Sequence, residues 1–149
     1  AQGWDAARET LAALQAEFPD DYTIKHSLGL HLALHEPEVA LAYLSLDDWE
    51  SALTRCSCLR VLERLEEAVL AAEAATELAP KRLEVWLALG WSALEAGDTE
   101  RASAAFDGAL GCEASDAEAL VGKMAALEAV GKPTDELRRL LADTEPEFA

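Results

Sequence analysis

Apolar residues recur along most of the chain every three or four positions, the spacing that places side chains on one face of an α-helix. Alternating apolar and polar runs are short, and the strong helix formers Ala, Leu, Glu and Arg dominate. Turn residues interrupt the pattern at intervals of about 10 to 14 residues, and the longer stretch 49–78 is expected to break near Glu63-Arg64. The pattern therefore predicts about nine short helices and no sheet, each helix beginning near Asp, Ser, Thr or Pro.

The predicted helices repeat one another along the chain. The arrangement of small and apolar residues in 7–19 returns 61 positions later in 68–80, and the first part of that segment returns 34 positions later in 102–109. An offset of 61 equals one 34-residue unit and one unit shortened to 27. Internal repetition at this period indicates a solenoid of stacked helical units.

The clearest unit spans residues 83–116. Its small and large positions are Trp86, Leu89, Gly90, Ala93, Gly97, Ala102, Phe106 and Ala109. This pattern resembles a tetratricopeptide repeat in which Ala93 replaces the family's tyrosine. We expect Gly90 and Ala102 to let paired helices approach closely. The space between the helices is expected to be filled by Trp86, Leu89 and Phe106. The resemblance implies an all-α fold, a right-handed superhelical solenoid of antiparallel helix pairs.

We interpret residues 1–149 as one such domain. Its predicted parts are an unpaired first helix at 3–18, a short repeat at 22–48, further repeats at 49–82, 83–116 and 117–143, and a tail at 144–149. Residues 36–62 allow two interpretations, because Val39, Tyr43 and Trp49 also fit a repeat of their own. We prefer helices at 37–46 and 49–62, since this choice keeps inner and outer helices alternating.

The first predicted helix has the pattern of an outer helix without an inner partner. Its apolar face is formed by Ala7, Leu11, Leu14 and Phe18. Repeat arrays normally end in polar capping helices, so this face needs a further cover. We expect either that the chain is a fragment of a longer protein or that a second copy covers the first helix, giving a homo-oligomer.

Composition excludes several classes of partner and location. The formal net charge of −17 repels phosphate backbones, which argues against nucleic acid, and the apolar runs are far shorter than the ~20 residues that cross a bilayer. The three cysteines, an odd number in a chain poor in cysteine, predict no disulfide framework. We expect reduced thiols and a cytoplasmic protein. Few amide residues, many alanines and more arginine than lysine suit a heat-tolerant or GC-rich source, which we expect to be bacterial.

Candidate chemistry is sparse. No nucleophile-elbow or zinc-protease motif occurs, so we expect no enzyme activity and no cofactor. His31 and His35 have the spacing of two ligands on one helix face, with Glu38 as a nearby third. Because no fourth ligand is evident, we predict no metal site. Cys56 and Cys58 project about 200° apart on a helix, which favours two buried cysteines over a redox pair.

The positive prediction is a concave binding groove, because helical solenoids present their inner helices as one continuous surface. The predicted groove residues are Thr23, His26, Leu30, Glu50, Leu53, Ser57, Arg60, Glu84, Leu87, Trp91, Glu118, Val121 and Ala125. Trp91 is either an exposed anchor for a partner or a packing residue against the next repeat, and the sequence favours neither. Acidic and apolar residues together suit a peptide or helix that carries basic and apolar residues.

This groove suits a non-catalytic scaffold that binds a partner protein. Two other functions remain open at this point: a secretion or assembly chaperone for one client, and a regulatory segment of a larger enzyme or sensor.

Overall fold

The structure, a computed structural model, describes residues 2–144, apart from the side chain of Gln2. Within that range it contains nine α-helices and no strand. They are α1 (Gln2–Glu17), α2 (Tyr22–Ala33), α3 (Pro37–Ala40), α4 (Trp49–Val61), α5 (Leu65–Leu78), α6 (Leu83–Glu95), α7 (Thr99–Cys112), α8 (Ala117–Ala129) and α9 (Asp135–Thr144). The all-helical prediction and the predicted break near Glu63 are confirmed.

Local capping explains where most of these helices begin. Four aspartates at helix N-caps accept a hydrogen bond from the backbone N–H three residues later: Asp21, Asp48, Asp98 and Asp116. Pro37 occupies the first turn of α3. Helices α5 and α6 instead follow Arg64 and Arg82, neither of which caps its helix with a side-chain bond.

Consecutive helices from α1 to α9 pack against each other, and a second set of contacts joins α2 to α4, α4 to α6 and α6 to α8. Among the described residues, the backbones of the alternating helices α3, α5, α7 and α9 do not approach one another in this way, and a 3.0 Å ion pair between Glu73 and Arg101 links α5 to α7. Because one layer is packed closely and the other is spread apart, α2, α4, α6 and α8 lie on the inside of the curve. We call the surface formed by these four helices the inner face.

Phe106 is the centre of the largest core cluster and is fully buried. A Cβ atom placed on Gly90 of α6 would lie 2.6 Å from its ring, and one on Gly122 of α8 would lie 2.2 Å from it. Both distances are far shorter than van der Waals contact, so only glycine lets α6 and α8 approach the ring this closely. The expected roles of Gly90 and Phe106 are confirmed, and Ala102 is fully buried as predicted.

The prediction of a helix over 37–46 is wrong in its length, because α3 ends at Ala40 and turns follow it. Arg55 of α4 donates from Nη1 to the carbonyl oxygen of Leu41 at 2.8 Å. It also donates to the carbonyl oxygen of Leu44 at 3.4 Å, so a side chain takes acceptors that a longer helix would use itself. The non-helical segment still covers α2, since a Cβ on Gly29 would lie 2.9 Å from Leu44 Cδ2.

A candidate partner-binding groove

The predicted groove residues lie on the four helices of the inner face. Thr23, His26 and Leu30 are on α2; Glu50, Leu53, Ser57 and Arg60 are on α4; Glu84, Leu87 and Trp91 are on α6; Glu118, Val121 and Ala125 are on α8. Their exposure differs from helix to helix. Thr23 and Val121 are exposed, whereas Leu87 is partly buried and packs against the core around Phe106.

Three exposed carboxylates form a row at one end of the inner face. Glu50, Glu84 and Glu118 each lie in the first turn of their helices. Alternate helices of the solenoid run in the same direction, so these first turns lie at the same end of the groove. A helix N-terminus favours negative charge, which makes this placement compatible with helix stability.

The negative charges of the row are only partly neutralised by other side chains of the chain. Glu84 forms a 3.2 Å ion pair with Arg82, and Glu50 Oε2 is 3.9 Å from His26 Nε2. Glu118 accepts a hydrogen bond from Trp91 Nε1 at 3.0 Å. The side chains of Glu50 and Glu84 are 56% and 48% exposed, so both can still meet an incoming cation.

Trp91 is held by residues of its own chain. Its ring meets the fully buried Phe106 edge to face, with ring centroids 5.0 Å apart. Its N–H bonds Glu118 of α8, and the residue as a whole is half-buried. Trp91 therefore packs on Phe106 of its own unit and reaches the neighbouring unit through its bond to Glu118, while part of its surface stays exposed.

A hydrogen-bonded cluster that the sequence analysis missed joins the beginnings of α2 and α4. The Tyr22 ring stacks on His26 with centroids 5.5 Å apart, and the Tyr22 hydroxyl donates to Asp48. His26 Nδ1 lies 2.8 Å from Ser51 Oγ. Ser51 is 1% exposed, which places its hydroxyl out of reach of a substrate, so the cluster positions the two helices and offers no nucleophile.

The pKa of Asp48 reflects this cluster. Partial burial raises its pKa, but hydrogen bonds from the Tyr22 hydroxyl and from Ser51 outweigh burial and hold it below the ordinary value. The same bond to Asp48 raises the pKa of Tyr22. The carboxylate is thus kept charged where α4 begins. The sequence signal for such a cluster is weak: an aspartate precedes an aromatic residue at the start of α2 (Asp21-Tyr22) and of α4 (Asp48-Trp49).

An apolar cavity of about 550 Å³ opens between α2 and α4 on the inner face. The predicted residues Leu30, Leu53 and Ser57 line it together. Leu34 and Val61, which the sequence analysis did not select, also line it, and they are 83% and 73% exposed. Both are apolar residues at helix C-terminal ends, where a polar residue would be expected.

The predicted residue Arg60 lies beside this cavity. Arg60, Ser57, Val61 and Glu95 line an adjoining cavity of about 340 Å³. Arg60 donates to both oxygens of Glu95, with Nε 3.2 Å from Oε2. This hydrogen bonding raises the pKa of Arg60 and keeps the pair charged.

The histidine pair considered for metal binding contacts the first helix. The His31 ring stacks on Trp4 at 5.6 Å, and the His35 ring meets Trp4 edge-on at 4.5 Å. His31 Nε2 also lies 3.1 Å from the carbonyl oxygen of Trp4. The Arg8–Glu36 ion pair, 2.6 Å between Nε and Oε2, adds to the same interface, so α2 is the partner that holds α1 in place.

Packing of this kind defines an α-solenoid of helix hairpins, and comparison with solved structures shows the tetratricopeptide-repeat fold. TTC0263, a thermophilic tetratricopeptide-repeat protein of Thermus thermophilus, matches with a TM-score of 0.62 and 18% identity over 97% of this chain and 86% of that chain. A crystal structure of MamA matches with a TM-score of 0.89 and 16% identity, covering 97% of this chain and 90% of that one. A structure of MamA from Desulfovibrio magneticus RS-1, from residue 41 to its end, matches with a TM-score of 0.85 and 14% identity, covering 97% of this chain and 86% of that chain.

Comparisons at the level of sequence give a different result. No protein-family model matches the chain, and no curated protein does. The likeness to known structures therefore concerns the fold. Among residues 2–144, no helix is both long enough and apolar enough to cross a membrane.

Proposed function

We propose that this chain is a non-catalytic interaction module that binds a basic segment of a partner protein, with an apolar anchor, on its inner face. The observation that carries the proposal is the row of exposed carboxylates, Glu50, Glu84 and Glu118, beside apolar side chains of the inner face. Solenoids of helix pairs commonly bind peptides or helices on such a surface. A peptide or helix with lysine or arginine next to aliphatic residues complements both features.

The test is a selection of random displayed peptides on the wild-type chain. Selected peptides should be rich in basic and apolar residues, and their affinity should fall as salt rises, because screening weakens attraction between exposed charges. A triple variant, Glu50→Lys, Glu84→Lys and Glu118→Lys, should bind them far more weakly.

The chain offers a matched control on the outer helices. Glu66 and Glu77 of α5 and Glu100 of α7 are exposed, and replacing all three with lysine changes the net charge by the same amount. This control should bind the selected peptides much as the wild type does. Equal loss in both triple variants would mean that overall charge, rather than the inner face, attracts the peptides, and the proposal would fail.

Self-association through the first helix is a second part of the proposal. Leu11 packs against the α2 cluster, whereas Leu14 is half-buried and Phe18 is 48% exposed. A second copy of the chain would cover this remaining apolar surface. Sedimentation velocity should show a concentration-dependent dimer that Phe18→Ser weakens, and a strict monomer at high concentration would contradict it.

A cytoplasmic location is proposed as well. All three cysteines are free, with Cys112 exposed, and such thiols persist in a reducing compartment. Expression of a tagged full-length gene with fractionation would test the location directly.

A further inference from the structure

The cavity between α2 and α4 on the inner face is lined mostly by apolar side chains. Leu30, Ala33 and Leu53 line it, and the two hydroxyl groups in its wall point back to their own helix. Thr54 donates to the carbonyl oxygen of Glu50 at 2.9 Å, and Ser57 donates to that of Leu53 at 3.3 Å. With these hydroxyl protons engaged, the cavity suits an apolar group rather than a hydrogen-bonding one.

Two side chains at the rim of this cavity remain in solvent to an unusual degree. Leu34, at 83%, and Val61, at 73%, are the most exposed large apolar side chains among residues 3–144. Single exposed apolar residues are common, but these two border one cavity. Apolar surface of this kind marks an interaction site, because binding removes it from water.

The charge near the cavity indicates which occupant fits. The adjoining cavity shares Ser57 and Val61 with the first and ends at Glu95. Arg60 pairs with Glu95, whose side chain is still 42% exposed. The inner helices also carry Lys25, Arg55 and Lys123, but Arg55 donates to the carbonyl oxygen of Leu41 and Lys123 pairs with Asp107. The exposed row of Glu50, Glu84 and Glu118 adds to Glu95, so negative charge predominates among the exposed groups of this face. A basic residue next to the apolar anchor is thus attracted, and an acidic one is repelled.

We infer that the cavity between α2 and α4 is the anchor pocket of the proposed groove, taking an aliphatic side chain of a partner segment whose neighbouring lysine or arginine lies over Glu95. This inference rests on the proposed function and deepens it, since it locates the specificity-determining position. It makes Leu34 and Val61 the residues that recognise the anchor, and Glu95 the residue that recognises the adjacent charge.

The decisive variant is Leu34→Ser together with Val61→Ser, tested against the peptides selected on the wild-type chain. Because both side chains are largely in solvent, the melting temperature should stay unchanged. Peptide affinity should fall by at least about tenfold. A matched control is Leu70→Ser with Val39→Ser, since both residues are exposed but lie on the outer helices and do not line this cavity. That control should bind as the wild type does.

A second measurement tests the charge next to the anchor. Glu95→Gln should weaken binding of a selected peptide, and changing the basic residue of that peptide to alanine should remove the effect of Glu95→Gln. A double-mutant cycle of this form isolates the pair. Independent, additive effects would overturn the assignment of Glu95.

The outcomes separate this inference from the proposed function. Peptides that lose affinity for the Glu50, Glu84 and Glu118 variant but bind the Leu34 and Val61 variant normally would overturn the anchor pocket and leave the groove in place. The absence of any peptide that responds to either variant would overturn both. Self-association of the chain that is lost in the Leu34 and Val61 variant, without a change in peptide binding, would make a second copy the occupant and contradict a basic partner.

Discussion

Gly122→Ala tests whether close approach around Phe106 holds the solenoid together. The added Cβ would lie 2.2 Å from Phe106 Cε1 and 2.3 Å from Cζ, well inside van der Waals contact. The ring has little freedom to move away, because it is fully buried and a Cβ at Gly90 would meet it at 2.6 Å as well. The substitution must therefore shift the ring, or separate α8 from α6 and α7.

Two opposing effects set the size of the change. Alanine is a better helix former than glycine by about 1 kcal/mol, whereas overpacking a well-packed core costs about 1–3 kcal/mol. Gly111→Ala is the matched control, since it lies in α7 and a Cβ there would meet nothing within 4 Å. The propensity gain is common to both variants, so Gly122→Ala should be less stable than Gly111→Ala by about 1–3 kcal/mol.

Urea unfolding followed by helical circular dichroism measures this difference, with thermal unfolding as a second reading. A difference of 2 kcal/mol corresponds to a shift of about 4–8 °C in Tm for a chain of this size. Phe106→Leu in the Gly122→Ala background should recover part of the loss, since a smaller side chain relieves the contact. Equal stability of Gly122→Ala and Gly111→Ala would refute the reasoning, because the ring would then yield at no cost.

Three further outcomes follow from the side-chain environments. Burial raises the pKa of both α4 thiols, so a thiol reagent at neutral pH should modify Cys112 first, as peptide mapping would show. Trp91→Ala should destabilise the fold by about 2 kcal/mol in urea unfolding, because the half-buried ring packs on the core and bonds Glu118. Folding lowers the pKa of Asp48, so the contribution of its carboxylate to stability is present above the unfolded pKa and is lost as pH falls through the folded pKa. The difference in unfolding free energy between wild type and Tyr22→Phe should therefore shrink across that acidic range, as urea unfolding at a series of pH values would show.

Sequence patterns predicted the features that depend on local chemistry. Aspartate at a helix start satisfies backbone N–H groups within its own turn, so Asp21, Asp98 and their equivalents were visible in the sequence as caps. The Gly90–Phe106 contact was predictable for a related reason. Both residues belong to the repeat pattern of residues 83–116, and only a small residue fits opposite a large ring.

Features that depend on distant residues were not predictable. The segment that follows the early end of α3 is bound by Arg55, which lies 14 positions from the carbonyl of Leu41 that it contacts. The exposure of Leu34 and Val61 depends on the space between two helices, which no periodicity encodes. Ring contacts of Trp4 with His31 and of Trp4 with His35 likewise join the first helix to the α2 region. The four-residue spacing of the histidines suggests a metal site and does not reveal these contacts.

The gaps between successive inner helices differ in what fills them, and in the proposed groove this difference would place specificity at one end. Between α4 and α6, Cys56 Sγ meets Ser92 Oγ at 3.1 Å inside the core. Between α6 and α8, the bond from Trp91 to Glu118 closes the gap. The outer helices that connect these two pairs, α5 and α7, have 14 residues each, whereas α3, which connects α2 to α4, has only four residues. The α2–α4 gap is bridged near the starts of its helices, where His26 Nδ1 lies 2.8 Å from Ser51 Oγ, but farther along it contains the apolar cavity. In the proposed groove, a partner's side chain would gain contacts in that cavity without first displacing those of the chain itself.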